Sequence, residues 1–105
     1  MIGPPLEPFP DDRAGEKGID ASRERLRAAG VEPHAWSNAA GDPYAAHQHV
    51  TTKLLICAAG SITFFVGPDE QPVELMAGDG FVLPAGTWHA ALVGPEGCTC
   101  LEGHR

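Results

Sequence analysis

The chain has 105 residues and a mass of 11.0 kDa, enough for one domain and too little for a separate cofactor-binding domain. Seven Lys and Arg against fourteen Asp and Glu give a net charge of -7, the wrong sign for gripping a nucleic-acid backbone or an anionic membrane surface. No apolar run approaches the ~20 residues of a membrane helix, and the start, Met1-Ile2-Gly3-Pro4-Pro5, lacks the basic and apolar regions of a secretory signal. Three cysteines, two of them in Cys98-Thr99-Cys100, do not make a disulfide framework, so a reducing, cytoplasmic setting is expected.

Residues 1–18 hold four prolines and paired acids, and read as an arm. Asp20 is expected to cap a short helix that ends at Gly30, with Ile19, Leu26 and Ala29 as a thin apolar stripe and its arginines solvated. Residues 1–30 are thus arm and helix, and residues 31–105 a second unit of regular punctuation. Its β-branched, aromatic and aliphatic runs are Val31–Asn38, Thr51–Ala58, Ile62–Val66, Val73–Ala77, Phe81–Leu83, Thr87–Val93 and Cys98–Glu102. Turns are expected at Gly60-Ser61, Gly67–Glu70, Gly78–Gly80, Pro84–Gly86 and Gly94–Gly97. Seven or eight antiparallel strands in so short a span must close into a small barrel or jelly roll to avoid exposed edges.

Three of the five histidines fall into a pattern: His47-Gln48-His49 at the head of a strand, and His89 just after the Pro84-Ala85-Gly86 turn. Residues two apart on a strand share a face, so His47 and His49 project together, and a third imidazole from a facing strand would complete a first shell for a divalent metal. The spacing around them resembles the cupin superfamily. Its first motif, G-x5-H-x-H-x3-E-x6-G, is matched in spacing by Gly41, His47, His49, Lys53 and Gly60; its second, G-x5-P-x-G-x2-H-x3-N, by Gly78, Pro84, Gly86, His89 and Val93. Two residue types depart: Lys53 stands at the ligand Glu, and Val93 at the Asn. The resemblance implies an all-β cupin barrel with one N-terminal helix, and a metal site of His47, His49 and His89 near its open end. Neutral imidazole suits iron, manganese, nickel, copper or zinc.

Strand parity turns Lys53 toward the same interior. An ammonium about 5 Å from a divalent ion, at an effective dielectric of about 20, is repelled by roughly 6 to 7 kcal/mol. Three arrangements therefore stand open. Lys53 swings to the mouth or is neutralised by an acid such as Glu102 or Glu74 while three histidines keep the metal; it replaces the metal's charge in a pocket for an anionic ligand; or it makes a structural ion pair. His34, Trp36 and Tyr44 are candidate pocket residues, Cys57 a small buried one, Cys98 and Cys100 without a role, and His104 terminal and solvated. The reading that follows is a metal-binding cupin acting on a small polar or anionic molecule, with Lys53 anchoring charge or moving a proton. Its rival is a non-catalytic binding or sensing barrel, with or without metal. Small cupins commonly pair, and a homodimer is expected.

Overall fold

The stretch KLLICAA at residues 53–59 breaks the polar–apolar alternation of a half-buried strand, and a strand buried on both faces explains it. A computed structural model, which describes residues 6–105, shows what covers each face. Leu55 and Cys57 turn into a core with Phe64, Phe81, Leu83, Ala91 and Val93. Leu54, Ile56 and Ala58 turn outward and are covered by Phe9 of the arm, Leu26 of the helix and Val31. The arm and helix thus share a core with the strands. The part of the arm at residues 1–5 lies outside the described residues.

The helix α1 spans Ile19–Ala28. Gly18, not Asp20, occupies the N-cap, where it takes φ 96°, and no side chain among the described residues caps the helix. Asp20 sits in the first turn, where a negative charge suits the helix dipole. Gly30 adopts the left-handed conformation expected beyond the helix end. Arg25, expected to be solvated, is 1% exposed and paired with Asp11 at 2.7 Å.

Six strands follow among the described residues: β1 His34–Asn38, β2 Pro43–His47, β3 Lys53–Val66, β4 Gln71–Met76, β5 Gly80–Leu83 and β6 His89–His104. All pairings are antiparallel. β3 and β6 run side by side, and each serves two partners: β3 pairs with β5 and then β4, β6 with β2 and then β1. Two sheets thereby share their long strands, which is the jelly-roll arrangement.

The expected turns at Gly60-Ser61 and Gly94–Gly97 do not reverse the chain; they are bends inside β3 and β6, so the seven expected runs become five strands, and β2 is the sixth. Ladder register shifts flank Gly60, which takes φ 73° with Gly97 opposite at φ 78°. A Cβ at Gly60 would lie 2.0 Å from the Gly97 carbonyl oxygen, so only glycine lets the two strands cross and bend there. β2 is the strand that sequence pattern does not reveal, because Pro43-Tyr44-Ala45-Ala46 carries no β-branched residue.

Candidate metal centre

His47 closes β2 and His89 opens β6, and the two are direct cross-strand partners, which puts both rings on one face. Their ring centroids are 4.3 Å apart. His49 lies beyond β2 in the connection to β3, so strand parity is not what aims it. Instead the Gly86 amide donates to the His49 carbonyl at 2.7 Å, and Ala85 N–H reaches Thr52 Oγ1 at 3.3 Å. The Pro84–Gly86 turn that delivers His89 therefore also holds the segment carrying His49. The His49 ring stands 4.8 Å from that of His47 and 5.2 Å from that of His89.

One nitrogen from each ring lies within 4.8 Å of the other two. Nitrogens on a shared ion at ~2.1 Å can stand no more than ~4.2 Å apart, so modest ring rotation closes the set. Tautomers favour this. His47 Nδ1 lies 2.7 Å from the Ala45 carbonyl and His89 Nδ1 lies 3.0 Å from that of Thr87. A carbonyl only accepts, so both Nδ1 atoms carry the proton and both Nε2 atoms present a lone pair. His49 Nε2 is buried with no hydrogen-bond partner among the described residues, a costly state for a polar atom unless something coordinates it. Burial first, then the charges of Lys53 and His47, push the His49 imidazole below its ordinary pKa. Burial does the same to His89 against the opposing Thr87 carbonyl bond. Both changes favour the neutral, ligating form.

Beneath the cluster opens a cavity of about 220 Å³. Leu55, Phe64, Leu83 and Ala91 give it an apolar floor, Trp36 and Tyr44 an aromatic wall, and His47, His89, Lys53 and Glu102 its polar groups. The Lys53 ammonium meets Glu102 Oε2 at 3.1 Å, and their side chains are only 12% and 13% exposed. Trp36 Nε1–H donates to Glu102 Oε1 at 2.8 Å, and His104 Nε2 lies 3.1 Å from Oε2. His104 Nδ1 in turn lies 2.7 Å from Thr51 Oγ1. Burial pushes the Glu102 carboxyl up, but the charge and hydrogen bond of Lys53, with the Trp36 indole and His104, outweigh it and hold the group below its usual range.

No family model and no curated protein matches the chain. Solved structures do. An RmlC-like cupin from Shewanella frigidimarina NCIMB 400 superposes with a TM-score of 0.61 at 22% identity, covering 70% of this chain and 64% of the other. The fold is that of the cupins. A cupin superfamily protein from Desulfitobacterium hafniense DCB-2 gives 0.60 at 22% identity over 69% of this chain and 63% of its own. The DMSP lyase DddQ from Ruegeria pomeroyi DSS-3 gives 0.64 at 25% identity, over 71% of this chain and 38% of the lyase. The chain therefore spans less than two thirds of each of these cupins.

The structure sets His47, His89, Lys53, Trp36 and Tyr44 on the wall of one cavity and groups His49 with His47 and His89. His34 is a correction: it is exposed and does not line the cavity, although it shares β1 with Trp36, which does. Of the two acids set against Lys53, Glu102 is its partner, while Glu74 is exposed on β4. His104, expected to be merely solvated, joins the same network, and the signal for it is strand parity with Glu102. Val93, at the second motif's Asn, is a buried core residue. Cys57, Cys98 and Cys100 are free and buried in the same core as Leu55, Phe64 and Ala91. No helix among the described residues is long and apolar enough to cross a membrane.

Proposed function

We propose that this cupin holds a divalent transition metal on His47, His49 and His89 and acts on a small polar or anionic molecule in the cavity below. The observation that carries the reading is the buried, unpartnered His49 Nε2 beside two histidines whose Nδ1 bonds to carbonyls leave Nε2 free, the three rings offering nitrogens within 4.8 Å of one another. Bound there, the ion supplies a Lewis acid with positions left open for substrate. The protein supplies the rest. Trp36, Tyr44 and the apolar floor exclude water from the substrate's body, and Lys53 anchors its negative charge or transfers a proton.

The rival is a metal-free pocket whose cation is Lys53, and the buried, unpartnered His49 Nε2 favours the metal reading over it. Iron, manganese, nickel, copper and zinc all suit the ligand set. Elemental analysis of untagged protein, with a His47→Ala/His89→Ala double variant beside it, tests the reading. We expect near-stoichiometric metal in the wild type and its loss in a folded variant. Wild-type protein that carries no metal and takes up none of these five ions would overturn it and transfer the search to anionic ligands of Lys53.

We also propose a homodimer in the cytoplasm. Leu92 and Met76, 48% and 53% exposed on β6 and β4, offer apolar surface for a second copy, and the three free thiols suit a reducing compartment. Light scattering that gives a clean 11 kDa particle at micromolar concentration would refute the dimer.

A further inference from the structure

We infer that Glu102 is the positioning residue that makes a divalent-metal site compatible with Lys53. The inference rests on the proposed metal reading and assigns a role to a side chain outside the three ligands. The problem it answers is electrostatic. Three neutral imidazoles do nothing to reduce the charge of a divalent ion, and a lysine on the cavity wall adds a further positive charge. An ammonium is also a donor of three hydrogen bonds, and the lone pairs of the histidines are ready acceptors. Left alone, Lys53 would compete with the metal for those same nitrogens.

The structure shows what prevents it. The Lys53 ammonium is drawn to Glu102 at 3.1 Å and 3.4 Å, one distance to each carboxylate oxygen, while His49 Nε2 stays without a partner. Glu102 cannot simply follow the lysine, since Trp36 holds it from β1 and His104 from two residues along β6. A carboxylate held by these two groups thus fixes the ammonium against β6. The negative charge that the first cupin motif places among the ligands is here supplied one strand away, and it balances the lysine instead of binding the ion. His104, half-exposed and joined to Thr51, is the outer brace of the arrangement.

A double-mutant cycle read by Zn2+ titration calorimetry tests this, with circular dichroism and thermal melts confirming the fold of each variant. Glu102→Gln keeps the size and an acceptor for Trp36 but removes the charge. We expect it to weaken Zn2+ binding by about tenfold or more, a loss of about 1.4 kcal/mol per decade. Lys53→Met should bind at least as tightly as wild type. Adding Glu102→Gln to Lys53→Met should then cost less than about threefold, because there is no ammonium left to restrain. Should Glu102→Gln alone fail to fold, the comparison within the Lys53→Met background still decides: a tenfold loss there means that Glu102 acts on the site by shape or contact, and overturns the inference. Wild-type affinity in a folded Glu102→Gln overturns it as well, while leaving the three-histidine site intact. Zn2+ binding that survives His47→Ala/His89→Ala unchanged would instead refute the metal reading, and the inference with it.

Discussion

Replacing Lys53 with glutamate should raise the affinity for divalent metal by about a hundredfold or more. An ammonium about 5 Å from a divalent ion at an effective dielectric of about 20 is repelled by roughly 6 to 7 kcal/mol, and the substitution exchanges that repulsion for an attraction of similar size. Solvent at the mouth reduces this, and about 2.7 kcal/mol suffices for a hundredfold. Geometry helps: Lys53 lines the same cavity as His47 and His89, and its register opposite His104 and Leu83 fixes where the new carboxylate starts. The cost appears in the metal-free protein. The introduced carboxylate would stand beside Glu102 with no ammonium between them, so one of the pair holds a proton until metal arrives. Competition against a chromogenic chelator measures the change, and the metal-free Lys53→Glu protein should melt below wild type and regain stability on loading. An unchanged affinity would mean that residue 53 does not face the ligand cluster, and would remove the reason for assigning Glu102 a charge-balancing role.

Much of this site can be read from the chain because its spacing is local. Gly41 through Gly60 and Gly78 through Val93 each bring their histidines into place by short turns, and the Pro84–Gly86 turn lies within three residues of the ring it aims. Strand parity groups His47 with His49 for a partly wrong reason, since His49 is held by a hydrogen bond from Gly86 and not by a strand. The remainder is illegible because it depends on pairs far apart in sequence. Nothing local distinguishes Glu102 from Glu74 as the partner of Lys53; the β3–β6 register does. The glycines at 60 and 97 look the same in the sequence whether they reverse a strand or bend it, and only the continuing ladder on both sides separates the two. Arg25 escapes the sequence for a related reason. On a helix whose neighbours at 23 and 27 are not fully buried, only the acid 14 residues earlier reveals a buried cation.

That cation carries the second large effect: Arg25→Met should lower stability by about 3 to 5 kcal/mol, the usual consequence of breaking one side of a buried ion pair. Arg25 is 1% exposed and the Asp11 side chain 7%. Its guanidinium donates to Asp11 Oδ2 at 2.7 Å, to the Glu16 carbonyl at 2.8 Å and to the Gly78 carbonyl at 2.9 Å, and lies over the Phe9 ring at 5.3 Å. One side chain thus ties the arm, the helix and the β4–β5 turn together. Methionine leaves the Asp11 carboxylate and the Glu16 carbonyl without their donor, while the Gly78 carbonyl keeps the Gly15 N–H. In a domain of this size the melting temperature should fall by on the order of 15 °C or more. Adding Asp11→Leu should recover part of the loss by removing the stranded charge, whereas equal melting of the single and double variants would show that the pair contributes little beyond its packing. The effect should remain one of stability. The arm reaches the barrel through β5, by the Pro8–Phe81 bridge and the bond from Val82 N–H to the Glu7 carbonyl. It also reaches the outer face of β3, by Phe9 and the bond from Gly18 N–H to the Ala58 carbonyl, and the chain's end through the Glu7–Arg105 ion pair, while the three histidines are set by β2, β6 and the Pro84–Gly86 turn. Below its lowered melting point the Arg25→Met protein should therefore bind metal as wild type does.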